Sequence, residues 1–271
     1  MCYIKQYRKE ILEMKKNKGK LRLNKKFLVS IFIILIILCV SVFTFARNND
    51  ENLEGRQYIE KLESKDITSV KKKVLKIRSK ERKQAIKDGK LDVFSQFEDY
   101  VFLGDSRVVG YSTYNCLDDS RIFAEAGATI KYVDNYLEQI KNLQPSNVIL
   151  SYGVNDMGLD LDSSDGGYGS LYESQVNKIL KIVPDAQIYI CAIIPCTPAT
   201  LEKSPRWGKQ DTYNKQLKKI CKKNNWTYID DDSLVDGGNA DVYQDDGIHF
   251  KSDFYKTWAE KITEAMMDNE E

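Results

Sequence analysis

Residues 27–46, FLVSIFIILIILCVSVFTFA, run for 20 positions without a charge, a proline or a glycine. As a helix rising about 1.5 Å per residue, such a run spans a hydrocarbon layer of about 30 Å, so it divides the chain before any other feature does. Residues 1–26 before it hold ten basic and two acidic side chains, whereas the flank from Arg47 to Glu54 is mixed and mostly acidic. The positive-inside rule then keeps the basic leader in the cytoplasm and puts everything from Arg47 onward outside the cell membrane. A cleaved signal peptide is the competing reading, with Thr44-Phe45-Ala46 as a small-residue cleavage site. The apolar run exceeds the usual apolar region of about 7–15 residues and the leader is long, which favours a retained anchor, with Cys39 a spectator inside it.

The formal net charge of +1 hides this division. The leader carries +8, residues 47–93 carry +5 from 14 basic and nine acidic side chains, and residues 94–271 carry −12 from 17 basic and 29 acidic ones. An acidic C-terminal part repels a polyanion, so nucleic acid is not an expected partner. Residues 47–93 place Ile59, Leu62, Val70, Val74 and Ile77 at helical spacings, with Gly89 available to end a helix. That predicts a helical stalk, whose thin apolar stripe makes it a weak coiled-coil seam, a helix lying along the domain, or a solvated spacer. Its basic residues have anionic lipid or wall polymer as conceivable contacts.

Residues 94–271 are enough for one compact domain. Short apolar runs at 100–103, 121–124, 147–151, 187–194 and 226–229 alternate with helical periodicity at 108–114, 130–143, 171–183, 209–224 and 252–267. Strands apolar on both faces and separated by helices predict a five-stranded parallel sheet covered on both sides, a three-layer α/β/α sandwich of the flavodoxin-like kind. In such sheets the crevice lies beyond the carboxyl ends of the strands, so residues just after each strand are the candidates for chemistry. Gly104-Asp105-Ser106 follows the first run, Gly127 the second, and Gly153-Val154-Asn155-Asp156 the third, while Asp245-Asp246-Gly247-Ile248-His249 precedes the last helix.

In kind and order these resemble the four blocks of the SGNH (GDSL-type) hydrolases, over residues 99 to about 268. The residues argue the same chemistry independently. A serine hydroxyl needs a neighbouring base at neutral pH, and His249 is the one imidazole the chain has. That imidazole needs a carboxylate on its other nitrogen. Asp246 lies three residues before it, with Asp245 as competitor, and the family's Asp-x-x-His spacing selects Asp246. The resemblance implies a Ser106, His249, Asp246 triad and an oxyanion hole made of the Ser106 and Gly127 backbone N–H groups and the Asn155 side-chain amide. Ser106 also precedes a helix, where free N–H groups and the helix dipole favour negative charge.

Plainer readings exist for each residue: Asp105 or Ser106 as a helix cap, Gly127 as a turn glycine, Asn155-Asp156 as an Asx-turn, His249 as a capping or packing residue. Asp160, Asp162 and Asp165 fail as a calcium loop, because the glycine and twelfth-position glutamate are missing. Cys116, Cys191, Cys196 and Cys221 form no C-x-x-C pair. Cys191 with Cys196 would close the shortest disulfide loop, and buried free thiols are the alternative. No metal is implied, and without a Gly-x-Gly-x-x-Gly or a P-loop no nucleotide cofactor is expected. Arg107 stands where the family usually has an apolar residue, either at a pocket rim, favouring an anionic or polyhydroxylated substrate, or on the helix surface.

The family spans carbohydrate esterases, lipases, thioesterases and O-acetyltransferases, so fold and triad leave the substrate open. A tethered outer location points to small acyl esters, acetyl above all, on wall or secreted glycans. The alternatives are a glycan O-acyltransferase fed by a separate membrane acyl-donor protein, and a binding or scaffold module with a relic site.

Overall fold

A computed structural model describes residues 25–63, 67–164, 166–235 and 240–269. The leader up to Asn24 and Asp165 of the rejected cation loop lie outside them. The chain divides between Ile67 and Thr68 into two compact units.

The first unit contains helix α1, Lys25–Glu63. Its stretch Leu28–Phe45 is long and apolar enough to cross a membrane, and none of it is buried. Twelve of its large aliphatic and aromatic side chains from Leu28 to Val42 and then Phe43 and Phe45 stand exposed, which in water alone would be a large uncompensated cost. The helix is fit to be a membrane anchor or a signal sequence.

The second unit opens with α2, Thr68–Lys87, then β1, Tyr100–Gly104, and α3, Ser106–Thr113. After them come β2, Ile122–Ala124, α4, Val133–Leu143, β3, Asn147–Ser151, and the single turn α5, Val154–Gly158. The remainder is α6, Gly167–Leu180, β4, Gln187–Cys191, α7, Pro198–Lys203, α8, Gln210–Asn224, β5, Thr227–Ile229, and α9, Ser252–Asn269. The strands form one parallel sheet in the order β2-β1-β3-β4-β5, the flavodoxin-like order.

The sheet's strands are apolar throughout because alternate residues enter two different cores. Val101, Leu103, Val148, Leu150, Ile188 and Ile190 meet α4, α6 and α8 through Val133, Ile140, Tyr172, Val176, Tyr213 and Leu217. Phe102, Ile149, Tyr189 and Cys191 meet α3 and α9 through Val108, Tyr111, Tyr255, Trp258 and Ile262. Ile86 of α2 and Val93 belong to this second core, so the compact unit starts some 25 residues before the boundary read at residue 94. Of the stalk's apolar stripe, the part on α2, Val70, Val74 and Ile77, is exposed, and α2 packs on its own unit through Ser79 and Ile86.

The register levels the carboxyl ends that matter. Gly104 of β1 pairs with Ala124 of β2 on one side and with Ser151 of β3 on the other. The segments that follow, carrying Ser106, Gly127 and Asn155, therefore leave the sheet at one height, at the point where the chain switches from one side of β1 to the other.

Candidate active site

β1 ends on Gly104, and Asp105 (φ −97°, ψ −162°) caps α3, its Oδ1 accepting the Arg107 N–H at 2.9 Å. The capping role thus belongs to Asp105, and Ser106, partly buried as the first residue of the helix, keeps its hydroxyl for another partner. Burial raises the Asp105 carboxyl above its usual range, against the pull of the Arg107 guanidinium and N–H.

That other partner comes from the opposite end of the chain. Tyr243 and Phe250 form an isolated antiparallel bridge, and between them Gln244 N–H donates to the His249 carbonyl at 2.8 Å. The tight loop so closed turns Asp246 back on its own successors: Oδ1 accepts the N–H groups of Ile248 at 2.8 Å and His249 at 2.9 Å. Asp246 Oδ2 lies 2.5 Å from His249 Nδ1, and His249 Nε2 lies 2.8 Å from Ser106 Oγ. Partial burial opposes ionisation of Asp246, but the donors from His249 and Ile248 outweigh it and hold the carboxyl below its ordinary range. An ionised Asp246 fixes the proton on Nδ1 and leaves Nε2 as acceptor for the Ser106 hydroxyl. The carboxylate on the ring is Asp246, not Asp245.

Asn155 and Asp156 do more than form a turn. Asn155 Nδ2 donates to the Ala128 carbonyl at 3.0 Å, and buried Asp156 Oδ1 accepts the Ile130 N–H at 3.0 Å, so the two side chains tie down the segment that carries Gly127. One amide hydrogen of Asn155 remains beyond the one given to Ala128. Gly127 (φ +80°) has open space where a Cβ would stand. Gly153 before them (φ +151°) leaves no such room: a Cβ there would overlap the Ile193 side chain. Burial lifts Asp156 to about 7.

The residue that sequence reasoning misplaced is Arg107. It is neither at a rim nor on a helix surface but 4% exposed. Its guanidinium donates to the backbone carbonyls of Ile248 (Nε, 3.0 Å), Ile194 (Nη1, 2.5 Å) and Pro195 (Nη2, 3.5 Å), approaches Cys196 Sγ at 3.4 Å, and lies 4.8 Å over the Phe250 ring. Its own carbonyl accepts the Tyr255 hydroxyl at 2.8 Å. One buried fork thus joins the Ser106 turn, the segment after β4 and the loop bearing His249. The Tyr243 hydroxyl adds a bond to the Pro195 carbonyl. The one sequence signal for this was a charge at an apolar position, which by itself does not say where the charge points.

The remaining candidates have structural duties. Asp160 pairs with Lys209 at 2.7 Å, and Asp162 Oδ1 accepts from the Tyr168 N–H and Gln216 Nε2. The acidic run Asp230-Asp231-Asp232 after β5, which by composition reads as a solvated loop, is not wholly solvated: Asp231 is fully buried and accepts the Trp258 indole N–H at 2.5 Å. Cys116, Cys191, Cys196 and Cys221 are free thiols, the last three buried, so the alternative of buried thiols applies rather than a Cys191–Cys196 disulfide.

Residues 102–257, more than half of the 271, match the sequence profile of the GDSL-like lipase/acylhydrolase family. Among solved structures, a GDSL-like lipase from Bacteroides thetaiotaomicron is 16% identical, with 63% of this chain and 87% of that one covered at a TM-score of 0.48. A lipase/acylhydrolase from Enterococcus faecalis is 14% identical, with 63% and 96% covered at 0.48. A lipase from a goat rumen metagenome is 17% identical, with 64% and 99% covered at 0.47. No curated protein matches the sequence.

Proposed function

Because the chain belongs to the GDSL-like lipase/acylhydrolase family, we propose that it is a membrane-anchored serine esterase of the outer cell face, hydrolysing small acyl esters, acetyl above all, on wall or secreted carbohydrate. The observation that carries this reading is the relay from Ser106 Oγ to His249 Nε2 at 2.8 Å and from His249 Nδ1 to Asp246 at 2.5 Å. Both contacts are within the reach needed for proton transfer.

In this mechanism Ser106 Oγ attacks the ester carbonyl while His249 takes its proton, and Asp246 stabilises the resulting imidazolium. The oxyanion is met by the N–H groups of Ser106 and Gly127 and by the Asn155 amide, each donor worth roughly 3–4 kcal/mol by the cost of deleting one. Collapse expels the alcohol, which leaves with the His249 proton, and an acyl-Ser106 ester remains. Water then attacks that ester with His249 as base, and the carboxylic acid leaves. The helix Leu28–Phe45 supplies the anchor, and the basic leader before it supports an extracytoplasmic catalytic unit. That side of the membrane is where acylated glycans occur, which is the support for a carbohydrate substrate.

Purified full-length protein should release nitrophenol from nitrophenyl acetate and be labelled by a fluorophosphonate at Ser106. Ser106→Ala should lower turnover on the order of 10⁴-fold or more and abolish labelling. Undiminished hydrolysis by that variant would refute the mechanism. Acetyl transfer to an added glycan in preference to water would assign the same site to an acyltransferase fed by a membrane donor.

A further inference from the structure

Helix α2 holds nine basic residues and one acidic residue, Glu81, in 20 positions. Its two faces differ in kind. Leu75, Ser79, Lys83 and Ile86 are turned to the unit's core, where Lys83 pairs with Asp268 at 2.5 Å and Glu264 at 3.5 Å on α9. Val70, Val74 and Ile77, at the spacing of one helical stripe, face outward and are 59%, 41% and 55% exposed. Lys71 and Arg78, seven residues apart, run along one side of that stripe, and Lys73 and Lys80, also seven apart, run along the other. All four are exposed, and the stripe ends at the exposed Glu81, one turn beyond Ile77.

An apolar stripe walled on both sides by cations is a surface with a definite complement. A second copy of the helix would seat the stripe but would set Lys71, Lys73, Arg78 and Lys80 against their own like charges, where a stable seam needs opposite ones. An anionic bilayer satisfies both features, taking the aliphatic side chains among the acyl chains and the cations among the headgroup phosphates. Along the chain, residues 46–67 lie between α2 and the apolar stretch Leu28–Phe45, so α2 is covalently tethered to the segment that would enter a bilayer. We propose that the outward face of α2 is a docking surface for an anionic lipid bilayer; the inference rests on reading Leu28–Phe45 as the membrane segment. Docking turns a tether into a fixed orientation of the catalytic unit at the membrane.

The test reconstitutes the full chain in vesicles of phosphatidylcholine alone or of phosphatidylcholine with phosphatidylglycerol, and footprints lysines with an amine-acylating reagent. Modification of Lys71, Lys73 and Lys80 should slow about fivefold or more only when phosphatidylglycerol is present, while Lys215 and Lys222 on α8 react equally in both. High salt should reverse the slowing. Val74→Glu should abolish it and leave hydrolysis of a soluble ester unchanged. Reactivity in both vesicles equal to that in neutral detergent micelles, with the chain floating with both, overturns the docking surface and leaves the anchor standing. Equal slowing in both vesicles against the micelle reference overturns anionic-lipid recognition in favour of a second copy. Failure to float with phosphatidylcholine alone overturns the anchor instead, and slowing with phosphatidylglycerol would then still support the docking surface.

Discussion

At the scale of single residues, the site depends on side chains that organise backbone as much as on those that face a substrate. Arg107 is the clearest case. Removing its fork leaves the buried carbonyl of Ile194 without its donor, at about 1–3 kcal/mol, frees the partly buried carbonyl of Ile248, and loosens the loop that carries His249 toward Ser106. Arg107→Met, which keeps the length and loses the donors, should lower kcat by about 10²-fold with little change in KM, because a sub-ångström displacement of the base costs the chemical step and not binding. Arg107→Lys, able to reach one carbonyl at a time, should fall between. Steady-state kinetics beside thermal unfolding checks this, and an Arg107→Met that melts early yet turns over normally would make the residue structural only. Asn155→Ala removes a proposed oxyanion donor and the tie to Ala128 together. It should cost about 10²–10³-fold in kcat, again with KM nearly unchanged.

At the scale of elements, the decisive features are the joints between strands and the helices that follow. Gly153 sits at such a joint with φ +151° and with Ile193 where a Cβ would go. Gly153→Ala must move either α5 or the segment after β4, and should destabilise the unit by about 2 kcal/mol or more. Because Asn155 rides on α5, activity should fall beyond what the folded fraction explains. Denaturation and kinetics on one preparation separate the two effects. The stalk helices show the converse. Periodicity left the stripe of Val70, Val74 and Ile77 open between a seam, a helix lying along the domain and a solvated spacer; these side chains are exposed, and the face that docks is built from Ser79, Ile86 and the Lys83 ion pairs. A short docked face with charged members leaves almost no periodic signature.

At the scale of the whole molecule, the first unit exposes a long apolar stretch, and the second carries acidic groups in its interior. Burial lifts Asp231 to about 7 against 3.8 for a solvated aspartate, despite the Trp258 hydrogen bond that favours its charge, and it lifts Asp156 to about 7 as well. Between those pH values the folded state keeps protons that the unfolded chain has released. The contribution of these two carboxyls to stability should therefore fall as pH rises from about 4 to about 7 and level off above. Asp231→Asn keeps an acceptor for Trp258 and cannot ionise, so it should remove its share of that slope and leave the share of Asp156. Chemical denaturation at pH 5 and pH 7 measures it, and an unchanged slope would clear Asp231 of the effect.

The sequence by itself determined the apolar helix, the alternation of five strands with helices, and the short segments at the strand ends, because hydrophobic period and turn chemistry are local properties. The pairing of Asp246 with His249 was legible only through the family's Asp-x-x-His spacing, because Asp245 beside it was an equal candidate by distance along the chain. What only the tertiary structure decided depends on contacts between distant positions. These include the sheet order that levels Gly104, Ala124 and Ser151, the 143 residues bridged between Ser106 and His249, and the inward course of the Arg107 side chain. The docked half of the stalk belongs with them. A residue's type fixes what it is able to bond, but which carbonyl lies within reach is set by the packing of elements that the local pattern does not encode.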